Sequence, residues 1–175
     1  VAETKLVQGI VQIGLNAVQT RHTRVNEVHV TANPLFEAAQ PGAALLLPEG
    51  ISMGIETAFG RIEQAGNPVF VGKLTLELGD QGERQKLTPY NFRVIAEGLF
   101  EVVLVAPEVN LEQFVALHGG SALMSVARET VATITARSVH GPMFIPSVIF
   151  AKPGLFSVNP SGVLATEPAP KSEKA

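Results

Sequence analysis

Val11, Ile13, Leu15 and Ala17 alternate with Gln12, Gly14 and Asn16, the period-two pattern of a strand with one buried face. The alternation slips at Val18 and is resumed loosely by Val25, Val28 and Val30. A slip of phase inside one long strand predicts a β-bulge. Residues 31–50 hold Pro34, Pro41, Gly42, Pro48 and Gly50 and read as a loop. Ile51, Met53 and Ile55 then alternate with Ser52, Gly54 and Glu56, which predicts a second strand. After the turn signal Gln64-Ala65-Gly66-Asn67-Pro68, the segment 69–78 puts Phe70, Leu74, Leu76 and Leu78 on one face. Gly79-Asp80-Gln81-Gly82 turns the chain again. The last strand is expected over 90–105, with Phe92 and Val94 on one side before a break at Gly98. Strands that follow one another through turns predict an antiparallel sheet.

Beyond residue 107 the period changes. Asn110 is placed to cap a short helix over 111–117, and His118-Gly119-Gly120 is expected to end it, because glycine accepts the left-handed conformation common at helix ends. Ser121 then caps the strongest helix, in which Leu123, Val126, Ala127, Thr130, Val131 and Ile134 recur at helical spacing. Arg137 and His140 fall in its last turn, where positive charge suits the helix dipole, and Gly141-Pro142 stops it. An apolar extended run follows over 143–150. Residues 152–175 are rich in Pro, Ser, Glu and Lys and are expected to be disordered, leaving one domain over 1–151. Strands first and helices second predict an α+β fold.

Composition narrows the function. With 46% hydrophobic and 17% charged residues the chain is globular, and its net charge of −3 with scattered Lys and Arg offers no basic stripe for nucleic acid. There is no cysteine, which excludes disulfides and thiolate metal sites and fits a reducing compartment. No apolar run approaches the roughly 20 residues that span a bilayer. Residues 1–19 carry only Lys5 as a positive side chain, a poor signal peptide, so a cytoplasmic protein is expected.

Candidate chemistry is sparse. Asp80 is the single aspartate and sits in a turn, where its side chain bonds locally. The histidines 22, 29, 118 and 140 form none of the pairs that place two ligands on one helix face; His22 and His29, seven apart on a strand, are expected on opposite faces. Gly66 to Lys73 fails as a phosphate loop, with five residues between Gly66 and Gly72 and Leu74 where a magnesium-binding hydroxyl is needed. Neither enzyme chemistry, a metal nor a cofactor is expected.

Two stretches carry a resemblance. Leu111-Glu-Gln-Phe-Val-Ala-Leu-His-Gly-Gly-Ser-Ala-Leu-Met-Ser-Val-Ala-Arg-Glu129 resembles the SecB segment in which a short helix and a small-residue bend lead into a Phe-Pro-Tyr-Ala-Arg-Glu helix start. Ala127, Arg128 and Glu129 match; Met124, Ser125 and Val126 replace the other three. Upstream, Phe92-Arg-Val-Ile-Ala-Glu-Gly-Leu-Phe-Glu-Val102 is similar to that family's last strand. Pro48-Glu49 with residues 51–57 resembles its second strand, and 141–150 its extended link, although Ser147-Val148-Ile149-Phe150 stands for the family's Pro-Val-Asn-Phe. The resemblance spans 11–150.

It implies a four-stranded antiparallel sheet followed by a long helix and one or two shorter ones. It implies edge-strand dimers that pack through their long helices into tetramers, and nucleotide-independent holding of non-native polypeptide. Export clients passed to the SecA motor, or an antitoxin guarded within a toxin–antitoxin system, are the clients it suggests. The implied client contacts are Ile51, Met53 and Ile55, with Phe144, Ile149 and Phe150 opposite. Glu27 and Asp80 are the counterparts of the motor-binding acids, while the tail 167–175 does not match. Without the resemblance, the row Ile51, Met53, Ile55 reads equally as core. A structural subunit, for instance of a phage particle, is the alternative in a different class.

Overall fold

The computed structural model describes residues 17–37, 45–48, 50–103, 110–148 and 150. Four long strands, β1 (Val18–Ala32), β3 (Gly54–Ile62), β4 (Val69–Leu78) and β5 (Tyr90–Val102), form an antiparallel sheet in the order β1-β5-β4-β3. One helix, α1 (Leu111–Thr135), covers one face of it. Two residues of the 33–53 connection, β2 (Leu45–Leu46), pair in parallel with two beyond the helix, β6 (Met143–Phe144). The α+β architecture expected from the pattern is the one adopted. A 3₁₀ helix over Gly82–Leu87 adds an element the pattern does not announce.

The sheet's inner face follows from the period of two. Phe70, Leu74, Leu76 and Leu78 of β4 and Phe92, Val94, Ala96 and Phe100 of β5 are buried together with Leu123, Ala127 and Val131 of α1. β4 shows the alternation most cleanly, because it is central in the sheet and its outer side chains Lys73 and Glu77 face solvent. β5 runs through Gly98 without the expected break.

The alternation expected over 11–16 lies outside the described residues; within β1 the changes of phase from Val18 to Val25 and from Val25 to Val28 correspond to two bulges, at Arg21 and Asn26, where the register with β5 shifts. The second bulge reverses parity between His22 and His29. Both therefore lie on the outer face, opposite Leu99 and Arg93, and not on opposite faces as their spacing predicts.

The helix also departs from expectation. It is continuous from Leu111 to Thr135, through Gly119 and Gly120. Asn110 caps it as predicted, its side-chain oxygen accepting from the Gln113 N–H at 3.0 Å. Ser121 is no cap; its hydroxyl donates to the Leu117 carbonyl one turn earlier. Arg137 and His140 lie beyond the last turn, and His118 stands mid-helix against the Phe114 ring. The two glycines belong to the packing. A Cβ on Gly119 would stand 2.7 Å from Cε1 of Phe59, and one on Gly120 would stand 3.3 Å from the Phe150 ring. Gly72 of β4 pairs with Gly98 of β5 beneath the same rings, and a Cβ on Gly72 would stand 2.4 Å from Phe59. Phe59 and Phe100, ring centroids 6.0 Å apart, thus fill a layer between sheet and helix that only glycine leaves deep enough.

Candidate functional site

The outer sheet face is a lattice of opposed charges. Arg93 stands 3.6 Å from Glu27 and 3.9 Å from Glu77; Arg24 bonds Glu97 at 3.0 Å; Glu101 takes Arg21 and, at 2.8 Å, the Asn67 amide. Bonding from Arg24, with Asn26 and the nearby Lys73 in support, holds the Glu97 carboxyl below its ordinary range; Asn67 and Arg21 do the same for Glu101. Glu27, Glu77, Glu97 and Glu101 of this face thus come with cationic neighbours. Glu27, one of the two acids singled out for a motor, is in this lattice. Asp80, the other, accepts from the Gly82 N–H at 2.8 Å and closes its own turn. A shallow depression of about 230 Å³, lined by His22, Arg24, Val71, Glu97, Gly98 and Leu99, interrupts the face.

The helix side holds the apolar residues that the sequence offers to a client. Ile51, Met53 and Ile55 do share one side of the chain, with exposures of 3%, 2% and 0%. They are core, in one cluster with Leu47, Met143, Ile145 and Phe150, because the strap formed by 45–48, residues 143–148 and Phe150 close over that end of the sheet. Phe150 is buried against Gly120. Phe144 is open at 45%, beside Leu46 at 67%, its register partner in the small parallel ladder. Ile149 lies outside the described residues. Leu46 escapes a reading of the sequence because its segment carries loop punctuation and no periodicity.

The run after the helix is fastened to it at several points. The buried Thr135 hydroxyl donates to the Val131 carbonyl at 2.7 Å and accepts from the Met143 N–H at 2.9 Å. Arg128 reaches back with Nε to the Ile145 carbonyl, 2.7 Å, and with Nη1 to the Ser147 hydroxyl, 3.1 Å. The Tyr90 hydroxyl donates to the Gly141 carbonyl at 2.9 Å and accepts from the His140 N–H at 3.1 Å. Burial pushes the Tyr90 phenol up, against the opposing effect of its hydrogen bonds. The His140 ring bonds the Asn33 carbonyl at 2.9 Å and packs edge-on to Phe36 and Tyr90, tying the chain after β1 to the end of the helix. Of these anchors only Arg128 falls in a motif legible in sequence; Thr135 and Tyr90 carry no signal there.

Among the described residues no helix is long and apolar enough to cross a membrane. No protein-family model matches the chain, and no curated protein matches it in sequence. Several solved structures are similar in fold, two of them as follows. One is a SecB-like chaperone of Mycobacterium tuberculosis in complex with a ChAD peptide from the HigA1 antitoxin, 18% identical, covering 81% of this chain and 96% of its own at a TM-score of 0.46. Another is a protein of unknown function from Streptococcus agalactiae, 13% identical, covering 75% of this chain and 94% of its own at a TM-score of 0.42.

Proposed function

We propose that this protein is an ATP-independent holdase that binds non-native polypeptide in the cytoplasm. What carries the reading is the open apolar pair Leu46 and Phe144, set in register at the end of the helix-covered face. Large apolar side chains held at cross-strand spacing, next to backbone able to pair, suit capture of an extended chain without sequence readout. The motif resemblance over 11–150 supports the same function. The proposed client contacts are Phe144 at the surface, with Ile51, Met53, Ile55 and Phe150 as the apolar interior it adjoins, and Ile149 as part of the same apolar run in sequence. Export substrates or an antitoxin are the proposed clients, with handover to a motor such as SecA at Glu27 and Asp80.

The test is suppression of aggregation of a chemically unfolded client by the full chain in the absence of nucleotide. Wild type is expected to suppress it. Phe144→Ser is expected to leave the melting temperature nearly unchanged, since the side chain is half open, and to weaken protection several-fold. Protection equal to wild type by a folded Phe144→Ser removes this residue from the site, and failure of the wild type itself ends the reading.

Assembly as a dimer of dimers belongs to the same proposal. Val25 and Val28 stand exposed on the inner side of edge strand β1, and Val126, Glu129, Thr130, Thr133 and Ile134 line a shallow trough along α1. Pairing these surfaces would bury apolar area that a monomer leaves in water. Light scattering coupled to gel filtration is expected to give the tetramer mass, and a stable monomer at micromolar concentration contradicts it.

A further inference from the structure

The parallel ladder β2–β6 has two unequal strands. β6 and the run beyond it are fixed to the helix through Thr135 and Arg128. β2 is held by a ladder of two residue pairs, Leu45 with Met143 and Leu46 with Phe144, and the Leu45 N–H reaches the Pro142 carbonyl at a long 3.4 Å. A two-residue parallel ladder is a weak attachment, since short isolated strand pairs are marginal in water and parallel pairing is the less stable kind. The strap also has a joint. Gly50, just past it, takes φ +79°, a conformation glycine enters freely. Its carbonyl is tethered from outside by Arg84 at 2.7 Å, so residues past the joint stay put when those before it move.

What the strap places along β6 is an extended apolar segment, Leu45-Leu46-Leu47. Leu47 is buried in the cluster with Ile51, Met53, Met143 and Ile145, Leu46 is open and Leu45 lies between. The chain's own residues thus display the ligand chemistry this position accepts: extended backbone with apolar side chains at alternate positions. We propose that the client site is the strand position beside Met143–Phe144, that residues 45–48 occupy it as an internal stand-in, and that bound polypeptide displaces them. Displacement removes Leu47 from the cluster and opens the row Ile51, Met53 to the incoming chain. This reconciles the burial of that row with a role in holding polypeptide, and it rests on the holdase reading above.

The experiment uses the absence of native cysteine. In the full chain carrying Leu46→Cys and Phe144→Cys, register partners on adjacent strands at the spacing a disulfide spans, oxidation locks the strap and reduction frees it. The probe is a fluorescein-labelled, cysteine-free peptide rich in Leu, Val and Phe, followed by anisotropy, with wild type measured under both redox conditions. The reduced variant is expected to bind several-fold more weakly than wild type, because the Phe144 ring is lost, and the oxidised one to bind at least about tenfold more weakly than the reduced, because affinity scales with the population of the competent state. Leu47→Ser decides the matter independently of the cysteines: loosening the strap is expected to tighten peptide binding, by about tenfold if the open state rises tenfold. Equal binding by oxidised and reduced variants, or unchanged binding by a folded Leu47→Ser, overturns the displaceable strap while wild-type binding keeps the holdase reading intact. Absence of peptide binding by wild type under both conditions overturns both.

Discussion

The double variant Met53→Ser, Ile55→Ser is expected not to fold. Met53 is 2% exposed and Ile55 0%, and both pack in the cluster shared by sheet and helix. Truncating one buried aliphatic side chain costs about 2–5 kcal/mol through lost transfer energy and the cavity left behind. Two such changes cost roughly 4–10 kcal/mol, to which burying two hydroxyls adds, against a total stability of about 5–15 kcal/mol for a typical domain. Far-ultraviolet circular dichroism and thermal unfolding should show loss of the cooperative transition. A variant that melts within a few degrees of wild type would show that the row tolerates water, as an open groove does. Met53→Leu, which keeps the volume, should cost less than about 1.5 kcal/mol and keep the fold. Polar replacement in this row therefore reports on stability, whereas Phe144→Ser reports on the surface.

Substituting Gly72 or Gly119 by alanine is expected to lower the melting temperature, although propensity alone predicts the reverse. Alanine in a helix interior is favoured over glycine by about 0.8–1.0 kcal/mol. At Gly119 the added methyl would meet Phe59 at 2.7 Å and Phe100 at 3.2 Å, and overpacking of that kind costs about 1–3 kcal/mol. Gly72→Ala is the more severe, with contacts of 2.4 Å to Phe59 and 2.9 Å to Phe100 from a strand in the centre of the sheet. A loss of about 1 kcal/mol lowers the melting temperature of a chain this size by roughly 2–4 °C. The cause is separable by a second change. In a Phe59→Leu background the ring is gone, and Gly119→Ala should then stabilise. If Gly119→Ala raises the melting temperature of wild type, the ring does not press on the helix as described.

Much of the architecture is local and so was legible in the sequence. The alternation of Phe70, Leu74, Leu76 and Leu78 with polar neighbours determines which face of β4 is inside, since side chains on a strand point to opposite sides in turn. The cap at Asn110, the turns at 64–68 and 79–82 and the order of strands before helix follow from residues acting on their neighbours. The phase slip in β1 announced a bulge, but two bulges and their positions emerge only from pairing with β5, and with them the shared face of His22 and His29.

What the sequence left open lies where distant residues compete with local preference. Gly119-Gly120 reads as a helix end because glycine costs a helix about 1 kcal/mol apiece; the helix runs on because Phe59, sixty residues earlier in number, and Phe150 need the space that missing side chains leave. The alternation at Ile51, Met53 and Ile55 shows that one side is apolar. It cannot show what covers that side, and the covering strand 45–46 lies in a stretch with no periodicity to read. Local pattern determines which side chains avoid water, because that depends on the chain's own geometry. Tertiary structure decides which of them find a partner inside the same molecule and which, like Leu46 and Phe144, remain at its surface.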